Sequence, residues 1–126
     1  MNECGDARVR YGTLRWMALL AADSRDQLSW LRERELDTEP VVEEVELFCR
    51  LCEGFAERGV LEPEQLRKLQ AVGRRLGAID ATRRVGRWAD ALVTDPAWDD
   101  IRRLARRFLV STLGDWRQPL PHPVRP

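Results

Sequence analysis

The residues of this chain best suited to chemistry are few and scattered. Cys49-x-x-Cys52 is its only pair with redox or metal-ligand spacing. Thioredoxin-type pairs draw their reactivity from a helix N-terminus, where the dipole lowers the thiol pKa. Cys49 instead lies nine residues beyond Pro40, and Glu46 and Glu53 flank the pair with charges that disfavour a thiolate. Cys4 and His122 bring the soft ligands to four, the number a closed zinc site requires, but they stand near opposite ends of the chain. The pattern reads as Cys52 serving as a small core residue with Cys49 at its margin, and no metal or cofactor is expected.

Acid–base and nucleophilic chemistry fare no better. His122 is the single histidine and falls in a proline-rich terminal stretch. Asp99-Asp100 and Glu43-Glu44 are adjacent carboxylates, but neighbours on a helix diverge by about 100° and do not share one site. Ser24, Ser29 and Ser111 lie in no Gly-x-Ser-x-Gly turn, and no Gly-rich phosphate loop is present. With no general base and no nucleophile elbow, the expectation is that the protein is not an enzyme.

Charge is the remaining equipment. The formal net charge is zero, yet Glu33 to Glu46 holds seven carboxylates against one arginine, and Arg67 to Arg87 holds seven cations against one aspartate. Segregation of this kind either pairs within the fold or faces a partner of opposite sign. Arg83, Arg84 and Arg87 form the densest basic group and are the candidate phosphate contacts, with Arg102, Arg103, Arg106 and Arg107 as an extension. A helix-turn-helix with Gly77 as its turn would place Arg83 and Gly86 where the second helix must pack apolar side chains, and Asp99 and Asp100 precede the later arginines at self-pairing distance. Glu43, Glu44 and Glu46 are the candidate contacts for a basic protein.

These groups must be carried by helices, since no segment alternates like a strand. Leu14, Met17, Ala21, Leu28 and Leu31 mark one stripe, and Val9, Trp16, Leu20 and Trp30 mark a second beside it. Together they are wider than a helix with one face in water requires, so the first helix is expected to be central or at an interface. Asp23-Ser24 either interrupts it or does not, giving six helices or five. Thr38-Glu39-Pro40 starts the next, running to Gly59 with Val41, Val45, Phe48, Leu51, Cys52 and Phe55 inward. Pro63 opens another that Gly77 closes, with Leu66, Leu69, Val72 and Leu76 inward. Asp80 caps a further helix with Val85, Trp88, Ala89 and Leu92 inward. Asp95-Pro96 starts the last, with Trp98, Ile101, Ala105, Phe108 and Thr112 inward and Gly114 as its stop. Prolines at 119, 121, 123 and 126 then forbid helix. That tail is an extended recognition segment, with Pro123-Val124-Arg125-Pro126 at P-x-x-P spacing, or docks through Trp116 and Leu120, or stays disordered.

The expected fold is therefore an all-α, compact single-domain bundle: residues 1–116 form the helical domain and residues 117–126 an extended Pro-rich tail. The longest apolar run, Trp16 to Ala22, is about a third of the roughly 20 residues a membrane span needs. Glu3 and Asp6 stand where a secretory signal would be basic, and three cysteines are an odd number for a disulfide framework. Cytoplasmic placement follows, and twenty arginines against the single Lys68 suggest a GC-rich, bacterial genome. The leading functional expectation is a non-enzymatic protein-interaction module, an adaptor or an immunity-type neutralising protein, whose partner is a basic protein or a second copy of the chain. The alternative is a nucleic-acid accessory protein, with a small metal or redox protein on the cysteine pair ranking last.

Overall fold

In the computed structural model the described residues are 3–35, 38–57, 62–79 and 96–121, with side chains over 7–35, 40–54, 62–79 and 96–121. Five helices fall among them: α1 (Glu3–Ala21), α2 (Ser24–Glu33), α3 (Thr38–Glu57), α4 (Pro63–Gly77) and α5 (Pro96–Leu113). No strand occurs among the described residues. The helix expected after Asp80 lies outside them, as does the end of the third helix at Gly59. Asp23-Ser24 does interrupt the first helix: Asp23 takes an extended conformation (φ −61°, ψ 152°) before α2 begins.

Among the described residues the four longer helices close a ring of contacts, α1 on α3, α3 on α4, α4 on α5 and α5 back on α1, with the shorter α2 between α1 and α3 in the chain. Helices α3 and α4 run antiparallel, because Glu53 meets Gln70 while Glu46 lies beside Gly77. The interior is filled by Met17, Leu20, Val42, Val45, Leu69, Val72, Leu76, Trp98, Ile101, Phe108 and Leu109, all essentially without solvent contact. Burying each such side chain contributes roughly 1.5–3 kcal/mol, so this layer holds the bundle together.

The inner stripes expected for α4 and α5 are found, with Leu66 and Thr112 half-buried at their margins. Helix α3 is rotated from expectation. Val41, Val42, Val45, Cys49 and Cys52 face inward, whereas Leu51 is 43 % exposed. The cause lies in α1, where Gly12 leaves a notch filled by the Phe48 ring, so close that a Cβ on Gly12 would come within 2.5 Å of it. Seating Phe48 on that side turns Leu51 outward with Leu47.

Helix ends follow their local chemistry. Pro63 begins α4, and the backbone N–H of Glu62 donates to Gln65 Oε1 at 3.3 Å. Gly114 takes φ +85° after α5 and its N–H donates to the Val110 carbonyl at 2.9 Å, the left-handed stop that glycine adopts without strain. Residues 114–121 then run back over the bundle without helix, and Trp116 and Leu120 pack against the core. The tail is thus docked as far as Pro121.

The interruption between α1 and α2 is locked by a polar cluster that the hydrophobic pattern did not reveal. The last carbonyls of α1 have no partner within the helix. Gln27 Nε2 donates to the Leu19 and Leu20 carbonyls at 3.0 Å each, and Arg106 Nε donates to the Ala21 carbonyl at 2.7 Å. Gln27 Oε1 in turn accepts from Arg102 Nε at 3.1 Å, and Arg106 pairs with Asp23 at 3.0 Å. Arg102 is 7 % exposed, which corrects its assignment to a solvated basic face.

Candidate functional site

The helix that presents the candidate acidic contacts is α3, and its geometry divides them. Glu43 and Glu44 are exposed on the outward side, in the same arc as the exposed Leu47 and Leu51. Glu46 is half-buried and turns toward α4, its Oε2 3.7 Å from where a Cβ on Gly77 would sit. The three glutamates therefore serve two surfaces. One is an apolar ridge, Leu47 and Leu51, flanked by Glu43 and Glu44. The other is an open groove of about 350 Å³ between α3 and α4, bordered by Glu46, Cys49, Arg50, Glu53, Gln70 and Arg74.

The groove is electrostatically mixed, with two carboxylates and two guanidiniums around a thiol. Burial pushes the Cys49 thiol up to about 12, helped by the nearby Cys52 and the charges of Glu46 and Glu53, with Arg50 opposing. The Cys52 thiol is also raised, again by burial, against a hydrogen bond with Thr13 and the charge of Arg10. Both cysteines are free. They serve different neighbours: Cys49 Sγ donates to the Leu69 carbonyl at 3.7 Å, while Cys52 Sγ lies 3.3 Å from Thr13 Oγ1. Raised thiols are poor nucleophiles and poor metal ligands at neutral pH. Among the described residues no three of His, Cys, Asp and Glu come together in a way that could hold a metal ion.

Arg83, Arg84 and Arg87 lie outside the described residues. The surrounding cations are mostly engaged. Arg67 and Lys68 both pair with Glu64, whose carboxyl they hold below its ordinary value. Asp100 pairs with Arg75 at 3.1 Å and with Arg103, and Asp99 pairs with Arg102 at 2.5 Å. Arg74 and Arg107 are exposed. Among the described residues no ion pair within 4.0 Å joins the window Glu33–Glu46 to the window Arg67–Arg87.

No family model, curated protein or solved structure matches this chain. What its surface can do must be read from its own groups. No helix among the described residues is long and apolar enough to cross a membrane.

Two features escaped the sequence reading. Arg102 falls on the same 3.6-residue period as Trp98, Ile101, Ala105 and Phe108, so its position on the inner face was signalled even though its charge argued against it. Leu47 and Leu51 carried a weaker signal, since Leu51 lies at the edge of the α3 stripe, three residues from Phe48 and next to Cys52.

Proposed function

We propose that this protein is a non-enzymatic interaction module whose outward α3 face binds a basic protein. The observation that supports the reading is the exposure of Leu47 and Leu51, 41 % and 43 %, between Glu43 and Glu44. Apolar side chains supply affinity once desolvated, and a rim of one charge selects the partner and speeds its approach. A second copy of the chain fits this face less well. A twofold interface sets a patch against itself, which brings Glu43 and Glu44 near their own equivalents. The fitting partner carries an amphipathic surface with lysine or arginine around an apolar centre, as a cationic enzyme neutralised by a small acidic protein would.

The test is capture from the source cell followed by affinity measurement with the purified partner. Leu47→Asp/Leu51→Asp should weaken the complex thirtyfold or more, the scale of a lost hot spot. Glu43→Lys/Glu44→Lys/Glu46→Lys should weaken it and reduce its salt dependence. Unchanged affinity in both variants would overturn the assignment of the face. The competing nucleic-acid reading is checked by an anisotropy titration with duplex DNA across a salt series, where affinity falling steeply with salt would favour it.

A further inference from the structure

Trp30, on α2, is 3 % exposed and set in a walled seat. The Trp16 ring meets it edge-on, 5.7 Å between centroids and 73° between planes, and the Arg34 guanidinium lies 4.3 Å from its ring centre. The indole N–H donates to the carbonyl of Pro121 at 3.0 Å. Two residues earlier, Arg15 on α1 donates to the carbonyl of Pro119 at 3.4 Å, and Leu120 between them packs against the core. Pro119-Leu120-Pro121 is thus held by its carbonyls and its apolar side chains.

Those contacts are the ones by which aromatic grooves recognise extended proline-rich peptides. Proline fixes its own φ, lacks an N–H that would need a partner, and leaves its carbonyl open to a side-chain donor such as an indole. Nothing in them is particular to a segment of the same chain. About 410 Å³ of open space lies against the seated residues and Trp30, bordered on the α2 side by Asp26, Ser29, Glu33 and Arg34. Glu33 in that border is already paired with Arg34 at 3.4 Å, which leaves the exposed Asp26 carboxylate to favour a cation on whatever lies there.

We propose that the Trp30 groove is a binding site for extended Pro-x-Pro peptides with a neighbouring basic residue, and that Pro119–Pro121 occupies it as a tethered competitor. A segment tethered by a short linker acts at an effective concentration of about millimolar, so a peptide added in trans is masked until the tether is weakened. The site lies on α2 and is independent of the α3 face.

The experiment uses the full chain and a fluorescein-labelled peptide copying Trp116–Pro126, which contains the two seated prolines, Pro119 and Pro121, with Arg117 and Arg125. Leu120→Asp should bind this peptide at least tenfold tighter than the unmodified protein. Its Trp30 indole N–H resonance, assigned through Trp30→Phe, should move on substitution and return on peptide addition. A peptide with alanine at both seated prolines should bind at least tenfold more weakly. If Leu120→Asp loses its helical circular dichroism, the milder Leu120→Ala weakens the tether from the tail side, leaves Arg15 and Trp30 in place, and is read with the same measurements. Equal affinity for both proteins, peptide binding that leaves the Trp30 resonance unmoved, or indifference to the prolines would each overturn the proposal.

Discussion

Helices α3 and α5 are both densely charged, α3 almost wholly acidic and α5 with aspartates and arginines mixed, and the fold treats them in opposite ways. On α5, Asp99 and Asp100 pair with Arg102, Arg103 and Arg75, while Arg106 reaches Asp23 and the end of α1. These charges tie α5 to α1, α2 and α4. On α3, Glu43 and Glu44 stand exposed beside exposed leucines, in no ion pair within 4.0 Å among the described residues. Charge satisfied inside the fold fixes where helices sit, whereas charge left outward acts on what approaches. A count of acidic and basic residues does not separate these roles.

The comparison can be broken most severely at Gln27. Its side chain serves two α1 carbonyls and the buried Arg102 together. Gln27→Leu keeps comparable bulk but takes a hydrogen bond from each of the three groups, with Arg102 still held by Asp99 and the Leu19 carbonyl by the Ala22 N–H, and lost buried hydrogen bonds cost more than an exposed one gains. The expected loss is about 3 kcal/mol, read as a lower urea midpoint with an unchanged slope. A loss under 0.5 kcal/mol would mean that the cluster is not what anchors α5 to the α1–α2 junction.

Next in size is charge reversal on α5. Asp99→Lys/Asp100→Lys removes three ion pairs and adds like-charge repulsion to four arginines on one helix. The two more exposed pairs contribute about 0–1 kcal/mol each, and Asp99 more because its partner Arg102 is buried, so the sum should be about 2 kcal/mol. High salt should shrink the difference, because these carboxylates remain partly solvated.

How much of this was legible follows the same division. Periodicity located the stripes of α4 and α5, and Pro63, Pro96 and Gly114 marked their ends, because those signals act over one or two turns. The choice at Asp23-Ser24 was not legible. What settles it is Gln27, Arg102 and Arg106 meeting the end of α1, contacts that span up to 85 residues of sequence. The outward turn of Leu51 was missed for a like reason: Leu51 adjoins Phe48 on the helical wheel, and the edge of the buried stripe shows only once α1, whose Gly12 receives the Phe48 ring, is in place. The acidic contacts could be named, but their split between an outer ridge and an inner groove depends on where α4 lies. The seat of Pro121 on Trp30 needed two aromatic residues and a distant proline to be placed together.

The inner side of α3 offers a smaller effect. Cys49 keeps its proton in the folded state up to about 12, against an ordinary thiol value near 9. The folded protein therefore binds more protons than the unfolded chain across pH 9 to 12, and stability falls as pH rises through that window. Relative to Cys49→Ala, the native protein should lose about 1 kcal/mol between pH 9 and 10 from this group. Parallel pH profiles for the two proteins would show that the thiol is not shielded as described. At neutral pH the same shielding predicts slow modification by thiol-directed disulfide reagents until the protein is unfolded.

The smallest expected effect bears most directly on the comparison. Glu43→Lys/Glu44→Lys reverses as much charge as the α5 double variant but touches no ion pair among the described residues, so the stability change should stay within about 0.5 kcal/mol. Partner affinity should nevertheless fall. That combination separates a recognition surface from a structural one, because a face that helps hold the bundle cannot lose its charge and keep its stability. If the α3 reversal destabilises as much as the α5 reversal, Glu43 and Glu44 hold the bundle together, and the outward ridge of α3 loses its claim to a partner.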